Sequence, residues 1–367
     1  MGVQSTMKTS SPMLPPVERL NSGQPLIRRS DNHPWENKVT FNPAGILIDD
    51  AATLARIIPT LPFDDSIKHT LDPYPALCFL LYRAQGEKVD EVDHTRSTMG
   101  LAVLSPTLEL LARHDRPVVQ PENDYETLGV EDGRLASIGN RFILTYTAYT
   151  MGSPYNRMRI AVASSSDLVH WEKHGLLRGD FNTIDNKNAM LFPEKQDGKY
   201  VMFHRPMTGE DAFCIHWAEA DDLLGEWKSR GTLMKPLMNP DFKDTWIGGG
   251  APPLKLPDDR YLIIYHIGNR KHDGTREYDL GIALGDTRKA GFIIRRDEPL
   301  LRPTTTAETL GDADLGVDNV VFTCAAYFYQ GDLFIPYAGA DSVVLAGRIR
   351  KADIESYVSS ATTHSSP

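Results

Sequence analysis

Cysteine is scarce in this chain of 367 residues. Only Cys78, Cys214 and Cys324 occur, far apart and without a CxxC neighbour. That pattern excludes a disulfide framework and a cysteine-rich zinc site, and leaves three small buried residues. Long apolar runs are missing as well, so no segment is expected to span a bilayer. The N-terminal "MGVQSTMKTSSPMLPPVERL" lacks the apolar core of a secretory signal, and a cytoplasmic location is expected. "MGVQST" fits the N-myristoylation pattern, but without a basic patch beside it the match is read as chance. Positive charge is in deficit. Lys and Arg total 39 against 49 Asp and Glu, a net charge of -10, which argues against nucleic acid or an anionic membrane as the main partner. It leaves room for a local basic pocket. HExxH, GxSxG, the kinase set and zinc-ligand spacings are absent, and no metal or organic cofactor is expected. The glycines of "TWIGGGAPPLK" match neither a phosphate loop nor a dinucleotide fingerprint. They read as a tight turn that brings backbone close to a pocket.

What the chain does have is repetition. The runs "FLLYRA", "ILTYTA", "VMFHRP", "LIIYHI" and "LFIPYAG" recur at intervals of roughly 60 to 70 residues, aligned at Tyr82, Tyr146, His204, Tyr265 and Pro336. Most follow a turn such as "GNRF" or "DGKY" and precede another strand such as "MRIAVASS" or "YDLGIALG". Five such units predict an all-β fold, a five-bladed β-propeller, with blades that bury their faces only by stacking round an axis. Five unrelated half-buried strands in a sandwich are the bland alternative. The expected boundaries are a flexible arm over residues 1–34, one catalytic domain over 35–355 and a disordered tail over 356–367. One helix is predicted in "DDAATLARIIPTLPF", stopping at Pro59.

Polar and aromatic residues gather where the runs end: Arg83, Tyr146, His204, Arg205 and His266. In a propeller such positions can converge on the axial pocket. "GVEDGR" sets Asp132 between glycines and beside Arg134, which can form a salt bridge or bind a substrate oxygen. A carboxyl group in an enclosed pocket has its pKa raised by desolvation, which suits a general acid. The bland reading is a solvated acidic turn. Lys187, His204 and Arg205, with His266 and Tyr278, form a basic group that could hold phosphate. The competing reading pairs Lys187 and Arg205 with Asp185 and Glu194. Tyr146 and Trp246, beside these motifs, are candidates for stacking on a sugar face.

The ordered set "PWENKVTFNPA", "LYRA", "GVEDGR", "LTYTAYT", "NAMLFPEKQDGKYVMFHRP", "IGGGAPPLK", "YHIG", "GVDNVVF" and "YAGAD" resembles glycoside hydrolase family 130, the inverting β-mannoside phosphorylases and β-mannosidases. It covers most of the chain. The resemblance implies a five-bladed propeller and Asp132 as proton donor, in several relatives through the mannose 3-hydroxyl. It implies phosphate held by Lys187, Arg205 and His266 with Tyr278 nearby, and a mannosyl ring bound by Asn42, Arg83 and Asp341.

The chain departs from the family at one place. Phosphorylases often carry a further Lys before the glycine turn, and here that position is Trp246, with Lys243 the nearest cation. The basic group remains, so phosphorolysis of β-mannosides to α-mannose 1-phosphate is expected, with inorganic phosphate as co-substrate. The alternative is an inverting β-mannosidase, which needs a second carboxylate to activate water; Asp244 and Glu277 are the candidates. A sugar-binding propeller without catalysis is the third reading, and an acid in the same pocket argues against it. Linkage, acceptor sugar and a homo-oligomeric state stay open.

Overall fold

The structure, a computed structural model, describes residues 14–89, 94–153, 155–286, 292–296 and 298–362. The "MGVQST" segment and the last five residues of the expected tail lie outside the described residues. The fold is all-β. Its strands form five mainly antiparallel groups in chain order. The first contains Val39–Ile48, Leu77–Val89, His94–Leu104 and Leu110–Val119; the second contains Gly129–Ile138, Arg141–Thr150, Arg157–Ser165 and Glu172–Leu176. A single parallel pair, Ser97 with Gly129, joins these two into one sheet. Asn186–Leu191, Tyr200–Pro206, Ile215–Ala220 and Glu226–Met234 make the third group, with Arg178–Gly179 on its outer edge. The fourth runs through Asp244–Gly249, Arg260–Arg270, Arg276–Asp286 and Phe292–Arg295. The fifth is built on Val321–Phe322, Asp332–Gly339 and Val343–Ile349.

The chain's beginning is stitched to its end. Glu18 and Arg19 pair with Arg348 and Gly347, Ile27 bridges Val344, and the Thr40 amide donates to the Ser342 carbonyl at 3.2 Å. Pairing of this kind occupies backbone groups that an edge strand would leave open. It also corrects the expected arm. Residues from Leu14 onward pack on the fold, and Ile27 is fully buried. The tail is corrected too. Lys351–Thr362 is a helix that buries Ile354 and Tyr357 against Leu333, Ile335 and Ile349. The expected helix is present as Ala51–Ile57, capped by the Asp50 carboxylate on the Thr53 amide, and it tightens into a 3-10 turn that contains Pro59.

Two devices recur from group to group. The first is a tyrosine on the second strand that donates to a buried glutamate, which also meets a cation. Tyr82 takes Glu36 with Arg113, Tyr146 takes Glu126 with Lys173, and Tyr337 takes Glu308 with Arg19. The equivalent residue in the last run is therefore Tyr337, not Pro336. The second device is a bulge near the head of the first strand. The register shifts between Phe41 and Ala44, between Glu131 and Arg134, and between Lys187 and Met190. Each shift holds one residue in the left-handed region: Asn42 at φ 43°, Asp132 at φ 48° and Asn188 at φ 58°. Asn and Asp tolerate that conformation better than other side chains with a Cβ, and a bulge re-aims the residue it carries.

Candidate active site

The three bulges deliver Asn42, Asp132 and Asn188 to one buried polar cluster. Asp132 Oδ1 accepts from Asn42 Nδ2 at 2.7 Å and from Arg83 at 3.0 Å. The same guanidinium donates to Glu131 at 2.7 Å and, through Nε, to the Ser97 hydroxyl at 2.9 Å. Lys187 reaches the other oxygen of Glu131 at 3.2 Å. Arg205 lies against His266, with its NH1 group 3.0 Å from Nε2, and Asn188 Nδ2 is 3.3 Å from that same nitrogen. Asn42, Asp132, Arg205 and His266 are all buried. Asp341, also left-handed at φ 46°, stands at the part-exposed edge within the field of Arg83, Asp132 and Lys187.

The charges in this cluster do not balance locally. Asp185 is taken by Arg157 and Arg159, and Glu194 by Lys255 and Tyr261. Neither serves Lys187 or Arg205, so the solvated-pair reading of those two cations fails. Lys187 has Glu131. Among the described residues, Arg205 has no carboxylate within ion-pair distance and its Nε has no partner. A buried guanidinium facing only a neutral ring is costly unless an anion joins it. The ring is neutral because burial, reinforced by the positive charges of Arg205 and Arg134, pushes the pKa of His266 well below its ordinary value. Its Nε2 therefore accepts from Arg205, and His266 orients that cation rather than adding a charge of its own.

The acid behaves differently from the expectation. Burial alone would raise the pKa of Asp132, but Arg83, Lys187 and Arg134, with the Asn42 hydrogen bond, outweigh it and hold the carboxyl well below its usual range. In the unliganded protein Asp132 is an anion. Asp341 is the opposite case. Burial outweighs the attraction of Arg83, and its carboxyl is pushed up to about 7.

Other expected site residues lie elsewhere. Tyr146 points into the core, where its hydroxyl donates to Glu126 at 2.5 Å. His204 bonds Asn186 and packs against Phe181 and His216. Arg134 is fully buried and spends its donors on the carbonyls of Asp132, Gly249 and Gly250, so it braces the acid's backbone and the glycine turn. Trp246 stands edge-on to Tyr278 at 5.5 Å and covers Gly268, where a Cβ would meet the indole at about 2.1 Å. Tyr278 in turn lies 6.0 Å from the His266 ring. Asp244 is half-exposed near Arg270, and Glu277 pairs with Lys271 at 3.0 Å. Neither has a bond into the cluster. The residues that sequence reasoning left without a role are Glu131, Asn188 and Thr147, whose buried hydroxyl has no partner among the described residues and whose backbone faces Glu131 across the strand pair.

Comparison with known proteins gives a consistent result. Residues 26–358 match the family profile described as beta-1,4-mannooligosaccharide phosphorylase. A 1,2-beta-oligomannan phosphorylase of Thermoanaerobacter sp. (strain X514) is 30% identical over 346 residues, which is 92% of this chain and 99% of that protein. A beta-1,2-mannobiose phosphorylase of the same strain is 30% identical over 91% of this chain and 97% of its own length. Among solved structures, the beta-1,2-mannobiose phosphorylase of Listeria innocua superposes with a TM-score of 0.73 at 19% identity, covering 94% of this chain and 99% of that one.

Proposed function

Because the chain belongs to glycoside hydrolase family 130, we propose that it is an inverting β-mannoside phosphorylase built as a five-bladed β-propeller. The five antiparallel groups and the pairing of the first residues with the last strand support the propeller. One observation carries the reaction type: Arg205 is a buried cation with no carboxylate partner among the described residues, within the field of a buried acid, Asp132. A phosphate dianion supplies the missing charge, and a guanidinium can meet two of its oxygens at once. Water would leave that charge unmet.

The chemistry follows from the electrostatics. Phosphate entering beside Arg205 and Lys187 offsets the Lys187 part of the field that, with Arg83 and Arg134, keeps Asp132 ionised. The carboxyl then takes a proton from solvent and can pass it to the leaving oxygen, directly or through a sugar hydroxyl. A phosphate oxygen forms its bond to the anomeric carbon from the opposite face as the glycosidic bond breaks. The proton goes to the departing sugar, and the product is α-mannose 1-phosphate. Asn42 and Arg83 hold Asp132 in place, and with Asp341 they line the side where the mannosyl ring would sit. Inversion by hydrolysis would need a second carboxylate roughly 6.5–9.5 Å from the acid to activate water. The pairing of Glu277 with Lys271 and the exposure of Asp244 speak against that role.

Both relatives at 30% identity are named for β-1,2-linked substrates, so β-1,2-mannobiose is the substrate for the first test. We assign the protein to the cytoplasm, which suits three unpaired buried cysteines. The deciding experiment incubates the protein with β-1,2-mannobiose in the presence and absence of phosphate. Mannose 1-phosphate formed only with phosphate is the expected result. Free mannose released at full rate without phosphate would make the protein a hydrolase.

A further inference from the structure

Glu131 is bonded on both sides. One carboxylate oxygen lies 2.7 Å from Arg83 and the other 3.2 Å from Lys187. The side chain is buried, and it directly precedes the bulged Asp132 in the chain. Arg83 is the cation that also grips Asp132, on the side assigned to the sugar. Lys187 lies in strand register with Arg205, on the side assigned to phosphate. Glu131 is therefore the bonded link between the two halves of the cluster.

We propose that Glu131 is a positioning residue that couples occupancy of the sugar half to the affinity of the phosphate half. The inference rests on the phosphorylase reading. Its physical basis is competition between two cations for one buried carboxylate. The arginine bond is short and the guanidinium is tied down by Ser97 and Asp132 as well. The lysine bond is longer, and the lysine side chain is flexible and part-exposed. A sugar that packs over Arg83 and Asp132 excludes water and strengthens the Glu131–Arg83 bond. The carboxylate is then drawn toward Arg83, and the Lys187 ammonium is released to an incoming anion. Without sugar, Glu131 keeps Lys187 partly neutralised, so phosphate binds an empty site weakly. The coupling runs in both directions, because linkage between two binding equilibria is reciprocal.

The test reads binding rather than turnover. Thermal shifts are measured for wild type, Glu131→Gln and Glu131→Asp while sodium phosphate is titrated, with and without methyl β-mannoside as the probe for the sugar half. In the wild type the mannoside should tighten apparent phosphate affinity by roughly fivefold or more, the lower end of typical coupling between sites. In Glu131→Gln each ligand alone should still raise the melting temperature, but the ratio should fall to near one. Glu131→Asp keeps the charge and is one methylene too short to span both cations. It should also lose most of the coupling, and it carries the test if the Gln variant does not fold. A variant that keeps the wild-type ratio overturns the proposal, and so does a wild type that binds both ligands independently. A wild type unmoved by phosphate overturns the phosphorylase reading itself, and the coupling with it.

Discussion

The guanidinium of Arg205 faces a neutral acceptor, His266 Nε2 at 3.0 Å, whereas Arg83 in the same cluster faces the carboxylates of Glu131 and Asp132. The pair resembles a lock without its anion. Burial, reinforced by the positive charge of Arg134, lowers the pKa of Arg205 from its ordinary value, and the negative charge of Asp132 acts against that. An uncompensated buried charge costs stability that a bound anion restores.

Arg205→Met should therefore separate stability from function. Removing the unpaired charge should leave the melting temperature of the unliganded protein unchanged or higher. The rise on adding phosphate should disappear. The phosphate Michaelis constant should increase by about one to two orders of magnitude, as loss of a charge-assisted hydrogen bond of about 1.5–3 kcal/mol implies. The mannoside constant should change far less. A variant that still responds to phosphate would remove Arg205 from the anion site.

Asp132→Asn keeps an oxygen that can accept from Asn42 and Arg83 and removes the titrating proton. Turnover with β-1,2-mannobiose should fall by about two to four orders of magnitude. Phosphate binding should persist or tighten, because one negative charge has left the cluster. Thermal shift with phosphate checks the second point independently of activity. Retained turnover would show that another group carries the proton.

The placing of the site residues turns on the two-residue period of a strand. Neighbouring residues in a strand face opposite sides. Tyr82 and Arg83 were both legible at the end of the first run, but only Arg83 faces the polar cluster; Tyr82 goes to Glu36. The same alternation sends Tyr146 to Glu126 and leaves Thr147 opposite Glu131, and it separates core His204 from Arg205. Asn188 could have been found, because "FNPA", "EDGR" and "KNAM" share a residue tolerant of positive φ at the second place. The low pKa of Asp132 could not. It depends on Arg83 and Lys187, cations supplied by two other strands that only the folded chain brings together.

Tyr146→Phe distinguishes the bond to Glu126 from a sugar-binding role. The lost hydroxyl leaves Glu126 with Lys173 and the Glu122 and Asn123 amides, so the cost should be about 1–2 kcal/mol of stability. The Michaelis constant for the mannoside should not move. Glu126→Ala should be worse, about 3–5 kcal/mol, because it leaves the buried Tyr146 hydroxyl without its acceptor and the Lys173 ammonium with only the Gln120 carbonyl and the more distant Glu122. Chemical denaturation measures both. A raised mannoside constant in Tyr146→Phe would return Tyr146 to the site.

The pH dependence of stability supplies the last test, and its sign is fixed by two carboxyls pushed in the same direction. Asp341 and Asp279 are each raised to about 7, Asp341 by burial beside Asp132 and Asp279 by burial beside Glu277. Between about pH 4 and pH 7 the folded protein holds protons on these groups that the unfolded chain has released. Folding stability attributable to them therefore falls as pH rises through that window, and levels off above it. Asp132 has the opposite sign. Its folded pKa is depressed, so its contribution is present above pH 4 and is lost only in strong acid. Asp341→Asn removes one of the two groups that titrate near neutrality. Its melting temperature should decline less than that of the wild type from pH 5 to pH 8, and Asp279→Asn should flatten the curve in the same way. Added phosphate should separate the two. In the proposed reading the anion sits beside Lys187, whose charge reaches Asp341 but is not among the charges acting on Asp279, so phosphate should move the Asp341 limb to higher pH and leave the Asp279 limb in place. If both limbs move together, or neither does, the anion does not sit beside Asp341.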